Sequence, residues 1–152
     1  MQPKIDWDPK NHPAYLLGRA ARLFSRAADE RLAKLGVSSA HVPVIRLLSD
    51  GRARSQAELA AQVKVEQPTM AALLVRMERD KLIERAPNPD DGRSSLFSLT
   101  PRARSKVRAV RDVLVRGSEE MFDGFSGGQI AMLGALLEQA IENLEAEAAK
   151  RE

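Results

Sequence analysis

The chain has 152 residues, 43% hydrophobic and 30% charged, which suits one folded domain with a real core and excludes a disordered chain. It has no cysteine, which excludes disulfides, thiolate catalysis and cysteine-based zinc sites, and no apolar run long enough to cross a bilayer. Formal net charge is +3, unevenly spread: Lys and Arg outnumber Asp and Glu eight to five over residues 1–51 and ten to seven over 52–104, but residues 105–152 hold six against nine.

Residues 1–11 include Pro3 and Pro9 and read as an extended arm. They lack the apolar core of a secretion signal, so a cytoplasmic location is expected. A first helix is predicted from His12–Pro13 to Leu35, because Leu16, Ala20, Leu23, Phe24 and Ala27 recur at helical spacing and Gly36 supplies a stop. A second starts at Ser38 as N-cap, with Val37 and Val42 placed as a hydrophobic staple, and ends at Gly51. Arg52-Ala53-Arg54 is short enough to be a small strand. Ser55 and Glu58 then form a capping box for a third helix. After a tight connection at Lys64 and Val65, Pro68 sits in the first turn of a fourth helix, whose Met70, Leu73, Leu74 and Met77 share one face. From Ala86 the chain is extended, turns at Pro89-Asp90-Asp91-Gly92 and returns through Leu96, Phe97 and Leu99. Thr100 caps a fifth helix with Pro101 at its first position, running through Val107, Val110, Leu114 and Met121 to about Asp123. Ser126 and Gln129 form another capping box, and the last helix carries Ile130, Leu133, Leu137, Ala140 and Leu144 three or four residues apart on an otherwise acidic surface.

Helix, tight turn, helix and β-hairpin make a winged helix-turn-helix, whose second helix can enter a DNA major groove. The fold class is therefore mainly α with a small β-wing: a winged helix-turn-helix of about residues 38–100, flanked by N- and C-terminal dimerisation helices of about 12–35 and 101–150, in one domain over 1–152. The flanking helices carry more apolar face than a monomer can hide, which predicts a homodimer. Trp7 is placed to cover its interface.

The order and spacing also resemble the multiple-antibiotic-resistance regulator (MarR) family. Leu82-Ile83-Glu84-Arg85, then Asp90-Asp91-Gly92-Arg93, then Leu96-x-x-Leu99-Thr100-Pro101 carry the likeness. In that family the wing holds an acidic residue shortly before an Arg, and Leu-Thr opens the next helix. The likeness covers nearly the whole chain. It implies interlocking first and last helices across a twofold axis.

On the fourth helix, Gln67, Pro68, Ala71, Ala72, Val75, Arg76 and Arg79 face away from the apolar stripe, toward the expected double-stranded DNA. Gln67 and Thr69 suit base edges, whereas Arg76 suits a phosphate or a guanine. Many relatives carry a polar and a basic residue where this chain has Ala71-Ala72; alanines touch thymine methyls but make no hydrogen bonds. Arg93, with Ser94 beside it, stands at the hairpin tip and can reach a narrow minor groove. Asp90 or Asp91 is expected to pair with a neighbouring Arg and shape the loop. Ser55 and Gln56 open a helix whose N–H groups can hold a phosphate, with Arg52 and Arg54 alongside. The resemblance further implies a pocket lined by the first, second and fifth helices, where aromatic anions are frequent ligands. Tyr15 and Arg19, i and i+4 neighbours, and His41 are the candidates for holding such an effector.

The expected function is a sequence-specific transcriptional regulator, a ligand-responsive repressor binding an inverted-repeat operator as a homodimer. The alternative is a sequence-nonspecific DNA-binding or protein-interaction module without small-molecule control. An enzyme is not expected: with His12 and His41 the only histidines, the sequence offers no nucleophile–base set, and neither a metal nor a cofactor is expected. No membrane partner is expected either.

Overall fold

A computed structural model of the protein describes residues 12–151, which form two compact units, one reaching Gly117 and the other beginning at Ser118. The expected arm of residues 1–11, with Trp7, lies outside the described residues.

In the first unit, helix α1 (Pro13–Leu32) starts on a proline and ends in a 3₁₀ turn, Ala33–Leu35, closed by Gly36 at φ 70°. The left-handed conformation there costs little only for glycine. The Lys106 ammonium donates to the Leu35 carbonyl at 2.6 Å, satisfying an acceptor that the helix end leaves open. The second helix begins differently from expectation. Ser38 does cap it, with His41 completing the capping box, but the first turn, Ser39–His41, is 3₁₀ and regular α2 covers only Val42–Leu48. It stops short of Gly51, where the Ser49 hydroxyl donates to the Arg46 carbonyl at 2.7 Å.

The sheet has order β1–β3–β2, all antiparallel, with β1 Arg54–Ser55, β2 Ile83–Pro87 and β3 Ser95–Leu99. Strand β1 lies later than expected because the Arg52 N–H turns back to the Asp50 carboxylate at 2.9 Å, so pairing starts at Arg54 opposite Phe97. The register Ile83↔Leu99 and Arg85↔Phe97 sends Ile83, Phe97 and Leu99 into the core. Between the strands' first two members lie α3 (Gln56–Val63) and α4 (Gln67–Arg79), joined through Lys64 at φ 59°. Leu59 from α3, Met70, Leu74 and Met77 from α4, Leu48 from α2 and Leu32 from α1 are fully buried in one cluster. That cluster fixes α4 against the other helices of the unit.

The fifth helix is broken where one run to Asp123 was expected. Thr100 caps α5 (Pro101–Arg104), accepting from the Ala103 N–H at 3.1 Å, and α6 (Val107–Met121) follows a turn. The Ser105 hydroxyl takes the Arg102 carbonyl at 2.8 Å, an alternative to continuing the helical ladder.

In the second unit, Phe122 and Phe125 meet edge to face at 5.7 Å. Ser126 and Gln129 cap α7 (Gly127–Ala149) as expected. Its apolar surface is wider than the stripe read from the sequence: Met132, Leu136 and Ile141 are exposed along with Ile130 and Leu144.

Candidate nucleic-acid interface

Helix α4 is amphipathic in the required sense. Met70, Leu73, Leu74 and Met77 are buried, while Gln67, Pro68, Thr69, Ala72, Val75, Arg76 and Arg79 are exposed. Ala71 is half-buried, so of the two alanines Ala72 is the more open. Val75 is 65% exposed, an apolar group in the middle of a polar face. Arg79 is held by Asp80, with Nε to Oδ1 at 2.9 Å, and Arg76 Nε donates to the Ala72 carbonyl at 3.3 Å. At the helix start, Gln56 of α3 reaches across the turn, its Nε2 donating to the Gln67 Oε1 at 3.0 Å. No local pattern announces this pair, since its members are eleven residues apart on different helices.

The opening of α3 is already occupied. The Ser55 N–H and hydroxyl both donate to the Glu58 carboxylate, at 2.7 and 2.8 Å, and the hydroxyl accepts from the Glu58 N–H at 3.2 Å. These hydrogen bonds hold the Glu58 carboxyl pKa below its ordinary value, so an anion stands at this helix end. Arg54 is likewise committed. Its guanidinium grips Asp50 through two bonds, at 2.9 and 2.6 Å, and donates to the Leu47 carbonyl at 2.6 Å. Its side chain is only 13% exposed, which makes it a brace between α2 and β1 and not a phosphate contact. The Arg54 hydrogen bonds hold the Asp50 carboxyl far below the usual carboxylate range. The i, i+4 placement of opposite charges was the available signal.

The wing loop is built from backbone hydrogen bonds. The Asp91 carboxylate accepts from the Arg93 backbone N–H at 3.0 Å, and the Asn88 side-chain oxygen accepts from the Asp90 N–H at 3.0 Å. The expected acid–guanidinium pairing is replaced by an acid–backbone bond, because a turn presents N–H groups at closer range than a long side chain. Ser94 is half-buried and accepts from the Asn88 amide at 2.8 Å, so its hydroxyl serves the loop. Among the described residues the exposed Arg93 guanidinium has no partner, which leaves it available at the tip.

Tyr15, Arg19 and His41 are not brought together by any described cavity. Tyr15 and Arg19 are exposed on α1. His41 is buried in its cap, its Nδ1 accepting from the Ser38 N–H at 3.2 Å. Burial lowers the imidazole pKa from its ordinary value; the Asp80 charge opposes this, and Arg76 and Arg79 add to it. A cavity of about 310 Å³ does lie between α2 and α6, lined by Val42, Ile45, Val110 and Leu114 among others, with Arg46, Ser49 and Arg111 as its polar members. No sequence pattern links Arg46 and Arg111, which lie on different helices. Among the described residues no three His, Asp or Glu gather as metal ligands, and no helix is long and apolar enough to cross a membrane.

Comparison with known proteins agrees with this geometry. The MarR family model matches residues 35–94. The HTH-type transcriptional repressor IacR of Pseudomonas putida is 24% identical over 136 residues, 90% of this chain and 81% of that protein. A mutant MarR from E. coli solved with operator DNA superposes with a TM-score of 0.78 at 21% identity, over 89% of this chain and 98% of that one. The MepR–DNA complex from S. aureus gives 0.78 at 21% identity, over 86% and 97%. The helix-turn-helix and most of the wing loop thus match the MarR family model in sequence, and the chain shares the fold of these solved structures.

Proposed function

We propose that the protein is a cytoplasmic, sequence-specific DNA-binding regulator, a repressor that grips an inverted-repeat operator as a homodimer. The observation that carries this reading is the exposed α4 face, with Gln67, Thr69 and Arg76 on a helix anchored by four buried residues, beside a wing that ends in an unpaired Arg93. Relatives named as a repressor and solved with operator DNA support it. Gln67 and Thr69 read base edges, Ala71 and Ala72 take thymine methyls, Arg76 takes a phosphate or guanine, and Arg93 enters the minor groove with Ser94 holding the loop. Gln56 and Ser55 stand where α3 begins, at the flank of the groove. The terminal helices, about 12–35 and 101–150, join the protomers, since Leu16, Leu17, Leu23, Leu136 and Leu144 are each more than two-fifths exposed.

A small aromatic anion is the proposed effector. The α2–α6 cavity suits it better than the Tyr15, Arg19 and His41 set: its volume falls at the low end of the roughly 300–1,000 Å³ of small-molecule sites, and Arg46 and Arg111 supply positive charge. A thermal-shift screen with salicylate-like compounds tests this, with stabilisation expected in the wild type and lost in Arg111→Ala. No stabilisation at millimolar ligand refutes it.

For DNA, a titration compares duplex from upstream of the protein's own gene with random duplex. Tighter binding to the former by roughly a thousandfold or more marks a specific regulator. A ratio near one instead favours a sequence-nonspecific module, a reading that Ala71-Ala72, without hydrogen-bonding groups, keeps physically sound.

A further inference from the structure

We infer that Gln56 is a specificity-setting positioning residue: by holding the Gln67 side-chain oxygen, it commits Gln67 to donate, so that Gln67 selects guanine. The inference rests on the proposal that α4 reads DNA.

An unrestrained glutamine presents both an acceptor and a donor and so pairs with adenine through N6 and N7. Gln67 is restrained. It is the first residue of α4 and exposed, whereas Gln56, the first residue of α3, is half-buried. The Gln56 Nε2 lies 3.0 Å from the Gln67 Oε1 and 3.5 Å from the Gln67 backbone carbonyl. That carbonyl can only accept, so the Gln56 group facing it must be the NH2. A Gln56 oxygen in that place would oppose the carbonyl dipole. Once the Gln56 NH2 is fixed there, the atom of Gln67 that meets it must be the oxygen, and the Gln67 NH2 is left toward solvent. A donor on that side complements an edge that carries acceptors and no donor. Guanine, with both N7 and O6 in the major groove, offers two acceptors and no donor; thymine offers only O4 beside its methyl group, and adenine places its N6 donor in opposition. Gln56 thus acts on the base through Gln67 without touching it.

The test is fluorescence anisotropy on the operator and its single-base variants, read as ratios between bases so that a uniform change in affinity cancels. Gln67→Ala identifies the base pair that Gln67 reads. At that pair the wild type is expected to favour guanine over adenine by about tenfold. Gln56→Ala frees the amide, and the ratio is expected to fall toward one or reverse. In Gln56→Glu the introduced carboxylate can only accept, so the Gln67 amide turns over and shows its oxygen; the preference is expected to pass to adenine or cytosine, whose N6 and N4 groups donate. Both variants keep the Ser55–Glu58 cap, so an unchanged melting temperature is expected. A wild-type preference for adenine, or the wild-type profile surviving in both Gln56 variants, overturns the inference while leaving α4 as a DNA reader. If Gln67→Ala alters no base position although the wild type still prefers operator to random duplex, the inference fails alone. If the wild type shows no preference for any duplex, both proposals fall.

Discussion

Replacing Arg93 with alanine isolates the contribution of the wing. The loop's internal bonds run through the Arg93 backbone N–H and through Asn88, Asp91 and Ser94, so truncating the side chain leaves the hairpin intact. What is removed is one exposed, unpaired cation per protomer, two in a dimer. Each neutralised phosphate contributes about 0.9 to the slope of log affinity against log salt, so the variant's slope should be shallower by about 1.8. Between about 50 and 200 mM salt, a fourfold rise, the deficit of the variant should therefore shrink by about tenfold. Anisotropy titrations of both proteins across that salt series measure it, with circular dichroism confirming an unchanged fold. Equal slopes would refute the placement of the wing in the DNA groove, even if the absolute affinities differed.

Three further perturbations test other parts of the structure. Because the native His41 pKa lies below its ordinary 6.5, the folded state binds fewer protons than the unfolded chain near that value. Stability from this site is intact above about pH 6.5 and is lost as pH falls below it; His41→Gln, which keeps a side-chain acceptor for the Ser38 N–H, should lose this decline when urea midpoints at pH 5.5 and 7.5 are compared, and an identical pH dependence in both proteins would contradict it. Leu74→Ala opens a hole in the cluster beneath α4 and should cost about 2–5 kcal/mol by urea unfolding; a cost under about 1 kcal/mol would mean the site collapses freely. Leu136→Asp with Leu144→Asp places charge at positions 59% and 70% exposed in the single chain, so a monomer should tolerate them, whereas a dimer closed over α7 should dissociate in light scattering; an unchanged dimer would move the seam elsewhere.

Elements governed by local chemistry could be read from the sequence. The Ser55–Glu58 and Ser126–Gln129 boxes, the Thr100 cap and the Gly36 stop each depend on residues within a turn of one another. The Met70, Leu73, Leu74 and Met77 stripe followed from helical period alone, and its burial settles which face of α4 is left outward. Departures came where a side chain outcompeted the backbone. Ser105 interrupts the fifth helix, and the Asp50 carboxylate delays β1 by drawing Arg52 into a turn. Contacts joining distant segments had no sequence signal: Gln56 to Gln67, and Lys106 to the Leu35 carbonyl across 71 residues. The Arg54 brace is hidden from the sequence for a related reason. A basic residue beside a helix start looks like a phosphate ligand until its partners, Asp50 and the Leu47 carbonyl, are known. Side-chain chemistry and family likeness point to Tyr15 and Arg19 as effector ligands, but neither reports whether a cavity lies beneath them.

The Arg54 brace gives the wing a mechanical anchorage. One guanidinium fastens the end of α2, through the Leu47 carbonyl and Asp50, to the first residue of β1. Strand β1 is laced to β3, and β3 is one arm of the hairpin that carries Arg93. The helix so fastened is also one wall of the 310 Å³ cavity. A body wedged into that wall would therefore bear on the root of the hairpin both through this brace and through the short segment 49–53 that joins α2 to β1.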